Sequence, residues 1–354
     1  MTAQGKPDPR VVAGALLRQF RRDARALPWR RSLDPYAIWI SEVMLQQTQV
    51  AAVIPYFERW MTALPNVRRL AASSEHQVLD LWAGLGYYTR PRRLLDAARI
   101  IVRERDGRLP DSIEGWLALP GIGRYTAGAI CSIAFNQPTP IVDGNVNRVL
   151  SRLHGFRGPV DRPRHRNRVW RLADDLVHHA DALPATRGRR NCSDLNQALM
   201  ELGATICTPR KPNCARCPLR RMCVARRRGR PTAYPRPSPR SPGLRQRLFV
   251  LLLERRGRYF VRRASTKGWN AGLWEFPTVS DPGCRWLRGR RLFDLTHTIT
   301  RHHFRVRVLH AGARKQQDLV PGRGRWLTTV DLDDWPLSGL HRKIARRLAL
   351  AASP

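Results

Sequence analysis

Four cysteines within seventeen residues, Cys207, Cys214, Cys217 and Cys223, constrain this chain more than any other feature. Their spacing is C-x6-C-x2-C-x5-C, in a chain with seven cysteines altogether. Thiols clustered in this way do not suggest a disulfide framework; they suggest a metal site in a reducing compartment. Zinc modules usually pair two knuckles of C-x2–4-C spacing, and only the middle pair here has it. Spacing alone therefore leaves zinc and an iron–sulfur centre both open. The remaining Cys131, Cys192 and Cys284 are expected to be buried or incidental thiols.

Charge narrows the partner. The 354 residues carry 64 Lys and Arg against 27 Asp and Glu, a net +37. An arginine-biased composition would exchange Lys for Arg, but it would not remove acidic residues. The balance favours a polyanion, and nucleic acid before an anionic membrane surface. No segment reaches the roughly 18 apolar residues of a membrane span. The short run Val11–Leu17 is enclosed by Arg10, Arg18, Arg21 and Arg22. It reads as one face of a helix rather than a secretory signal. No membrane association and a cytoplasmic, nucleoid-associated location are expected.

Periodicity divides the chain. Residues 1–226 read as helical, with apolar residues at helical spacing such as Leu94, Leu95, Ala98 and Ile101. Residues 227–244 are rich in Pro and Arg, a linker composition expected to be extended. Residues 245–354 change to strands. LFVLLLE and YFVRR flank a turn near Gly257, and Phe304, Val306 and Val308 alternate with Arg305 and Arg307. Leu340–Leu350 returns to helix. An all-α domain followed by a smaller α+β domain is expected.

Three local patterns carry candidate chemistry. The first is LPGIG, residues 119–123, between helical patterns at 113–118 and 124–135. Gly121 and Gly123 permit a tight turn, and the free amides opening the second helix can hold a phosphate. An ordinary helix–turn–helix corner has the same signature; the chain's charge favours phosphate contact. The second is Glu42, inside IWISEVMLQQTQV, with Ile38, Trp39, Leu45 and Gln46 as helical neighbours. Desolvation there favours the protonated carboxyl, the state a general acid needs near neutral pH. Snorkelling to a helix edge or pairing with an arginine is the plainer reading. The third is Asp143 in VDGN, before NRVLSRL, where a helix cap or Asx-turn is the plainer reading. Two carboxylates of different pKa can together break a glycosidic bond.

These motifs bear a family resemblance. LPGIGRYTAGAI resembles the helix–hairpin–helix of the endonuclease III superfamily of DNA glycosylases, and IVDGNVNRVL follows where that superfamily places its aspartate. WISEVMLQQTQV, LPWR (27–30) and GLGYY (84–88) resemble the adenine glycosylase (MutY) branch. The resemblance implies an all-α helix–hairpin–helix glycosylase domain (hairpin 113–135) with a [4Fe–4S] loop at 207–223, held by the four cysteines. It implies that Glu42 protonates adenine and acts at the water step, that Asp143 stabilises the oxocarbenium sugar or attacks it, that Asn145 helps hold the site, and that Tyr125 occupies a catalytic-site position that varies in the family. Gln47 would enter the base stack, and Thr48 would assist near the opposite base. Leu85 and Tyr87 would lie around the opposite oxidised guanine. Arg25, Trp29, Arg30, Leu45, Val50 and Gln197 would form the adenine pocket, and Gly121 and Gly123 would meet phosphate.

KGWNAGLWEFP, residues 267–277, resembles the C-terminal α+β nudix-like domain of that branch, which reads oxidised guanine. Residues 278–295 lack the Glu-rich metal helix of true nudix hydrolases. The recognition loop also departs from the branch pattern His-x-Phe-Ser-His. Here it reads His297-Thr298-Ile299-Thr300-Arg301-His302, with Thr300 keeping a hydroxyl. Bifunctional relatives carry a nucleophilic Lys where this chain has Tyr125, and no lysine occurs between Lys6 and Lys211. The expectation is a monomeric, monofunctional glycosylase acting on double-stranded DNA with A:8-oxoG or A:G mispairs. The alternatives are an endonuclease III-like or mismatch glycosylase acting on pyrimidines, and a non-catalytic iron–sulfur DNA-binding module. Tyr125 and the appended 245–354 region speak against the first, and the presence of both carboxylates against the second.

Overall fold

The computed structural model describes residues 7–184, 188, 190–237, 242–265, 270, 272–279, 290–312 and 324–352. Cys284 and residues 267–269 and 271 of the nudix-like motif lie outside them. The chain divides into two compact units, Met1–Ala71 with Asp96–Pro239, and Ala72–Leu95 with Arg240–Pro354.

The first unit is helical. Its elements are α1 (Pro9–Asp23), α2 (Pro35–Leu45), α3 (Val50–Ala63) and α4 (Val67–Ala71). After α5 (Glu75–Trp82) and α6 (Thr89–Arg105) come α7 (Ile113–Leu117), α8 (Arg124–Phe135), α9 (Gly144–His154), α10 (Pro163–Asp181), α11 (Asn191–Thr205) and α12 (Val224–Arg227). Helix α2 starts where Asp34 accepts from the Tyr36 amide at 2.9 Å with Pro35 at the first helical position. Every residue from Tyr36 to Met44 is buried, so α2 is an interior helix without a polar face. Trp39, Trp60 and Trp116 are fully buried, and the rings of Trp39 and Trp116 sit 5.5 Å apart. At the end of α8, left-handed Asn136 accepts from the amides of Cys192 and Ser193 at 3.1 and 3.2 Å. That contact ties α8 to the start of α11. Among the described residues no helix is long and apolar enough to cross a membrane.

The sequence reading of an extended linker fails over its first half. Tyr234 is buried, and its carbonyl accepts from the guanidinium of Arg152 at 3.0 Å. One aromatic residue inside a Pro/Arg-rich run was enough to dock the segment. Residues 238–241 lie outside the described set.

The second unit is a mixed sheet with helices. Strands β1 (Leu244–Arg255), β2 (Arg258–Arg263), β3 (Trp274–Glu275), β4 (Thr278–Val279), β5 (Arg290–Ile299), β6 (His302–Gly312) and β7 (Gly324–Leu327) precede α13 (Asp331–Asp334) and α14 (Gly339–Ala352). The path is β3-β2-β1-β6-β5, with β1 and β6 parallel and the other neighbours antiparallel. Gly257 turns β1 into β2, as its position in the sequence suggests. Val250, Leu252, Val306 and Val308 pack with Leu340, Ile344 and Leu348 of α14, so one face of the sheet is the core. The segment Ala72–Leu95, part of a helical run in sequence, belongs to this unit. Within it the rings of His76 and Trp335 lie 5.7 Å apart, and Glu75 pairs with Arg92 at 2.8 Å and Arg263 at 3.5 Å.

Candidate active site

A cleft of about 700 Å³ opens in the helical unit between α2, α8, α9 and α11. Glu42 lines it from α2. Because α2 is buried all round, its one carboxylate is buried too, at 5% exposure. Burial pushes the Glu42 pKa up to about 7; the Tyr125 hydrogen bond opposes this, and the charge of Asp143 adds to it. Tyr125, on the first turn of α8, donates to Glu42 Oε2 at 2.7 Å and lies 3.2 Å from the sulfur of Met200. Burial lifts the phenol pKa well above its ordinary value, so it stays a donor.

Asp143 faces the same cleft as the N-cap of α9. One carboxylate oxygen accepts from the Val146 amide and the other from Asn145 Nδ2, both at 2.7 Å. Burial raises its pKa, while these hydrogen bonds and the charge of Arg148 pull the other way. Capping and chemistry are therefore not alternatives here: the cap geometry aims the carboxylate. Asn145 itself is fixed by close approach. A Cβ on Gly203 would come within 2.5 Å of Asn145 Cβ, so only glycine lets α11 meet α9 there.

The sequence-derived residues separate cleanly. Arg25, Trp29, Arg30, Glu42, Leu45, Gln47, Thr48, Val50, Gly121, Gly123, Tyr125, Asp143, Asn145 and Gln197 all line this cleft. Gln47 is exposed in a left-handed conformation (φ 60°), at the end of α2. Gly121 (φ 83°) makes the hairpin turn, and α8 begins at Gly123 with no side-chain cap, leaving its first amides open. Leu85, Tyr87 and Thr300 do not line the cleft; they belong to the second unit. Leu85 is buried, whereas Tyr87 is 47% exposed. Thr300 is exposed at the turn between β5 and β6 (φ 53°).

The family model of the HhH-GPD superfamily base excision DNA repair protein matches residues 40–172, and that of the NUDIX domain matches residues 248–347. The chain is 35% identical to the adenine DNA glycosylase of Homo sapiens, over 94% of this chain and 73% of that protein. It is 39% identical to the adenine DNA glycosylase of Mus musculus, over 94% and 76%. The chain belongs to the adenine DNA glycosylase family. It is thus a base-excision repair glycosylase with a helix–hairpin–helix domain and a C-terminal nudix-like domain. Among solved structures, a thermostable thymine-DNA glycosylase matches with a TM-score of 0.53 at 27% identity, covering 62% of this chain and 97% of that one. An endonuclease III in a DNA complex matches with a TM-score of 0.51 at 21% identity, covering 63% and 98%, a likeness of fold alone.

Sequence reasoning missed two groups in this family member. Glu201, four residues beyond Gln197 on α11, receives Arg25 through two nitrogens at 2.9 and 3.0 Å and Arg30 at 2.9 Å. Burial alone would raise its pKa, but the two guanidiniums hold it below the usual range. It fixes both arginines in the cleft wall. The other group is an arginine stripe on α9. Arg148 donates to Asn145 Oδ1 at 2.7 Å, the Gly203 carbonyl at 2.7 Å and the Cys207 carbonyl at 2.8 Å. Arg152, one turn on and 2% exposed, donates to the carbonyls of Cys207, Thr208 and Pro209 at 3.2, 2.8 and 2.9 Å. The spacing Asn145, Arg148, Arg152 is one helical face, a signal present in the sequence.

The four clustered cysteines ring a recess that Arg152 also lines, and none is in a disulfide. Cys207 Sγ accepts from Arg152 at 3.3 Å. Backbone amides of Leu219 and of Arg226 and Ala225 point at Cys217 and Cys223, but burial still raises both thiols, Cys217 to about 12. Among the described residues no group of three or more His, Cys, Asp or Glu is arranged to hold a metal ion. Arg152→Leu is expected to leave the buried Tyr234 carbonyl without its guanidinium donor, at about 1–3 kcal/mol, and to release the carbonyls of Thr208 and Pro209. Melting at lower temperature and faster hydrogen exchange across residues 207–223 are the measurable consequences; unchanged exchange would show that Arg152 does not order the loop.

Proposed function

We propose that this protein excises adenine paired with 8-oxoguanine or guanine in duplex DNA, leaving an intact abasic site. The observation that carries the reading is the pair of unlike carboxylates in one cleft: Glu42, buried and with a pKa of about 7, and Asp143, hydrogen-bonded on both oxygens. The protonated Glu42 gives its proton to the departing adenine as the bond from its ring nitrogen to the sugar breaks. The resulting cationic sugar is stabilised by the Asp143 carboxylate, which Asn145 holds in place. The ionised Glu42 then takes a proton from the water that adds to the sugar, restoring the starting state. Tyr125 keeps the Glu42 carboxyl oriented.

The helical domain to residue 226 would carry this chemistry. The flipped adenine would sit among Trp29, Leu45, Val50 and Gln197, with Arg25 and Arg30 in the wall; Gln47 would enter the vacated stack, and Thr48 would assist near the opposite base. The open amides after Gly121 and Gly123 would hold phosphate. The domain at 245–354 would read the opposite base through Thr300, with Leu85 and Tyr87 wedging beside it.

Cys207, Cys214, Cys217 and Cys223 would hold a [4Fe–4S] cluster. A lone zinc needs its sulfurs about 2.3 Å from one point. A cluster interposes its own iron and sulfide, which suits thiols ringing a recess. When bound it would tie both ends of the loop together, and no step of the hydrolysis needs it.

The test is incubation with duplexes containing A opposite 8-oxoguanine, A opposite G, and an oxidised pyrimidine. Free adenine should appear from the first two, with strand breaks only after alkali. With Tyr125 in place of an amine, borohydride should trap no covalent adduct. Release of the pyrimidine alone, or a trapped adduct, would overturn the reading.

A further inference from the structure

The sheet of the second unit has an outer face to which the glycosylase chemistry gives no role. Cross-strand registers place Arg245 beside His303 and Thr298, Arg247 beside Arg305 and Thr296, and Phe249 beside Arg307 and Asp294. Registered neighbours share a face. The alternate residues Leu248, Val250, Val306 and Val308 face the core under α14, so these arginines face away from it. Arg245, Arg247, His303, Arg305 and Arg307 are all exposed.

This face is cationic beyond what the fold needs. Like charges directly opposite across strands are destabilising, and Arg247 stands directly opposite Arg305. Among the described residues neither has a carboxylate partner. The nearest acid on the face, Asp294, is already engaged by Arg291 at 2.9 Å and Arg307 at 3.4 Å. Adjacent strands lie about 4.8 Å apart and alternate residues on a strand about 6.7 Å apart, so the guanidiniums form a tight grid. An external polyanion would relieve that repulsion. Strands β5 and β6 both run into the turn that carries Thr300, so the grid begins next to that turn.

We propose that the outer face of β1, β6 and β5 binds the sugar–phosphate backbone of duplex DNA flanking the base opposite adenine, with Arg245, Arg247, Arg305 and Arg307 as the phosphate contacts. This rests on the reading of the protein as a mispair glycosylase. It adds a second, sequence-independent anchor to the base-reading turn.

The test is the salt dependence of binding by the full-length protein to a long duplex with a cleavage-resistant adenosine opposite 8-oxoguanine. Removing one phosphate-binding cation lowers the slope of log K against log salt by about 0.9. R247Q/R305Q is expected to lower it by between about 1 and 2. R255Q/R258Q, a like-charge pair at the β1–β2 turn and at the end of β1 away from Thr300, removes the same charge and is expected to leave the slope unchanged. R247K/R305K should keep the wild-type slope. Equal falls in the two glutamine variants would mean net charge alone, and no fall in either would mean that this face does not touch the backbone; both overturn the proposal. A fall seen with single-stranded RNA but not with the duplex also overturns it. If instead the wild-type protein releases no adenine from any mispair, the function fails, whatever the slopes show. R247Q/R305Q removes a like-charge pair, so it should melt no lower than wild type.

Discussion

Glu42→Gln is expected to bind A:8-oxoguanine duplexes and release no measurable adenine. A positioned general acid contributes about 10²–10⁴-fold, and Gln keeps the shape of the side chain while having no proton to give. Tyr125 can still donate to the amide oxygen, so the cleft should keep its form. The pH dependence follows from the same carboxyl. With a pKa of about 7, the competent, protonated form predominates below that value. Wild-type release under single turnover should therefore fall as pH rises through about 7.

Stability changes in the same window. The pKa of Glu42 is raised on folding, so its neutral form stabilises the native state fully below the unfolded value of about 4.5, and that stabilisation is lost as pH climbs through about 7. Glu42→Gln does not titrate. It should gain on wild type at alkaline pH, by up to about 3 kcal/mol, since each tenfold change in acid strength on folding is worth about 1.4 kcal/mol. Two measurements check this: single-turnover adenine release against pH, and thermal melts of both proteins at acid and alkaline pH. A variant that turned over like wild type would remove Glu42 from its role.

Asp143→Asn should separate folding from chemistry more sharply still. Asn caps a helix as well as Asp does, so α9 should keep its first turn and the melt should hardly move. The negative charge, however, is gone. A charge preorganised in a low-dielectric cleft acts most strongly where positive charge develops, and removing one such group typically lowers turnover by about 10²–10³-fold. A melt close to wild type with release lowered at least about a hundredfold is the expected pair of results. Near-normal release would mean that the sugar cation needs no anion here.

Much of this site is written locally. Glu42 declares itself by its helical neighbours, because a helix apolar on every side buries whatever carboxylate it carries. Asp143 could be read either as a cap or as a reactive group, and the structure makes it a cap whose carboxylate also faces the cleft. What sequence could not show is pairing over distance. Glu201 meets Arg25 and Arg30 across more than 170 residues, and nothing in the local pattern around it names those partners. Arg148 and Arg152 were legible as a stripe on α9, but most of their acceptors are backbone carbonyls, which composition never reveals. Tyr234 is buried in a stretch whose proline and arginine content argued for an extended linker. The grouping of residues 72–95 with the C-terminal sheet had no signal at all, since periodicity reports which face of a helix is buried and not against what.

That discontinuous grouping bears on how the chain is made. Residues 72–95 leave the ribosome before residues 96–239, while the strands they belong with come only afterwards. At about 5–20 residues per second, synthesis of the intervening stretch takes roughly 7–30 s. For that time Glu75 and His76 lack Arg263 and Trp335, the partners they meet in this unit, and a chain that terminated before residue 240 would never supply them. A crosslink between positions 76 and 335 should therefore form only after the last strand has emerged.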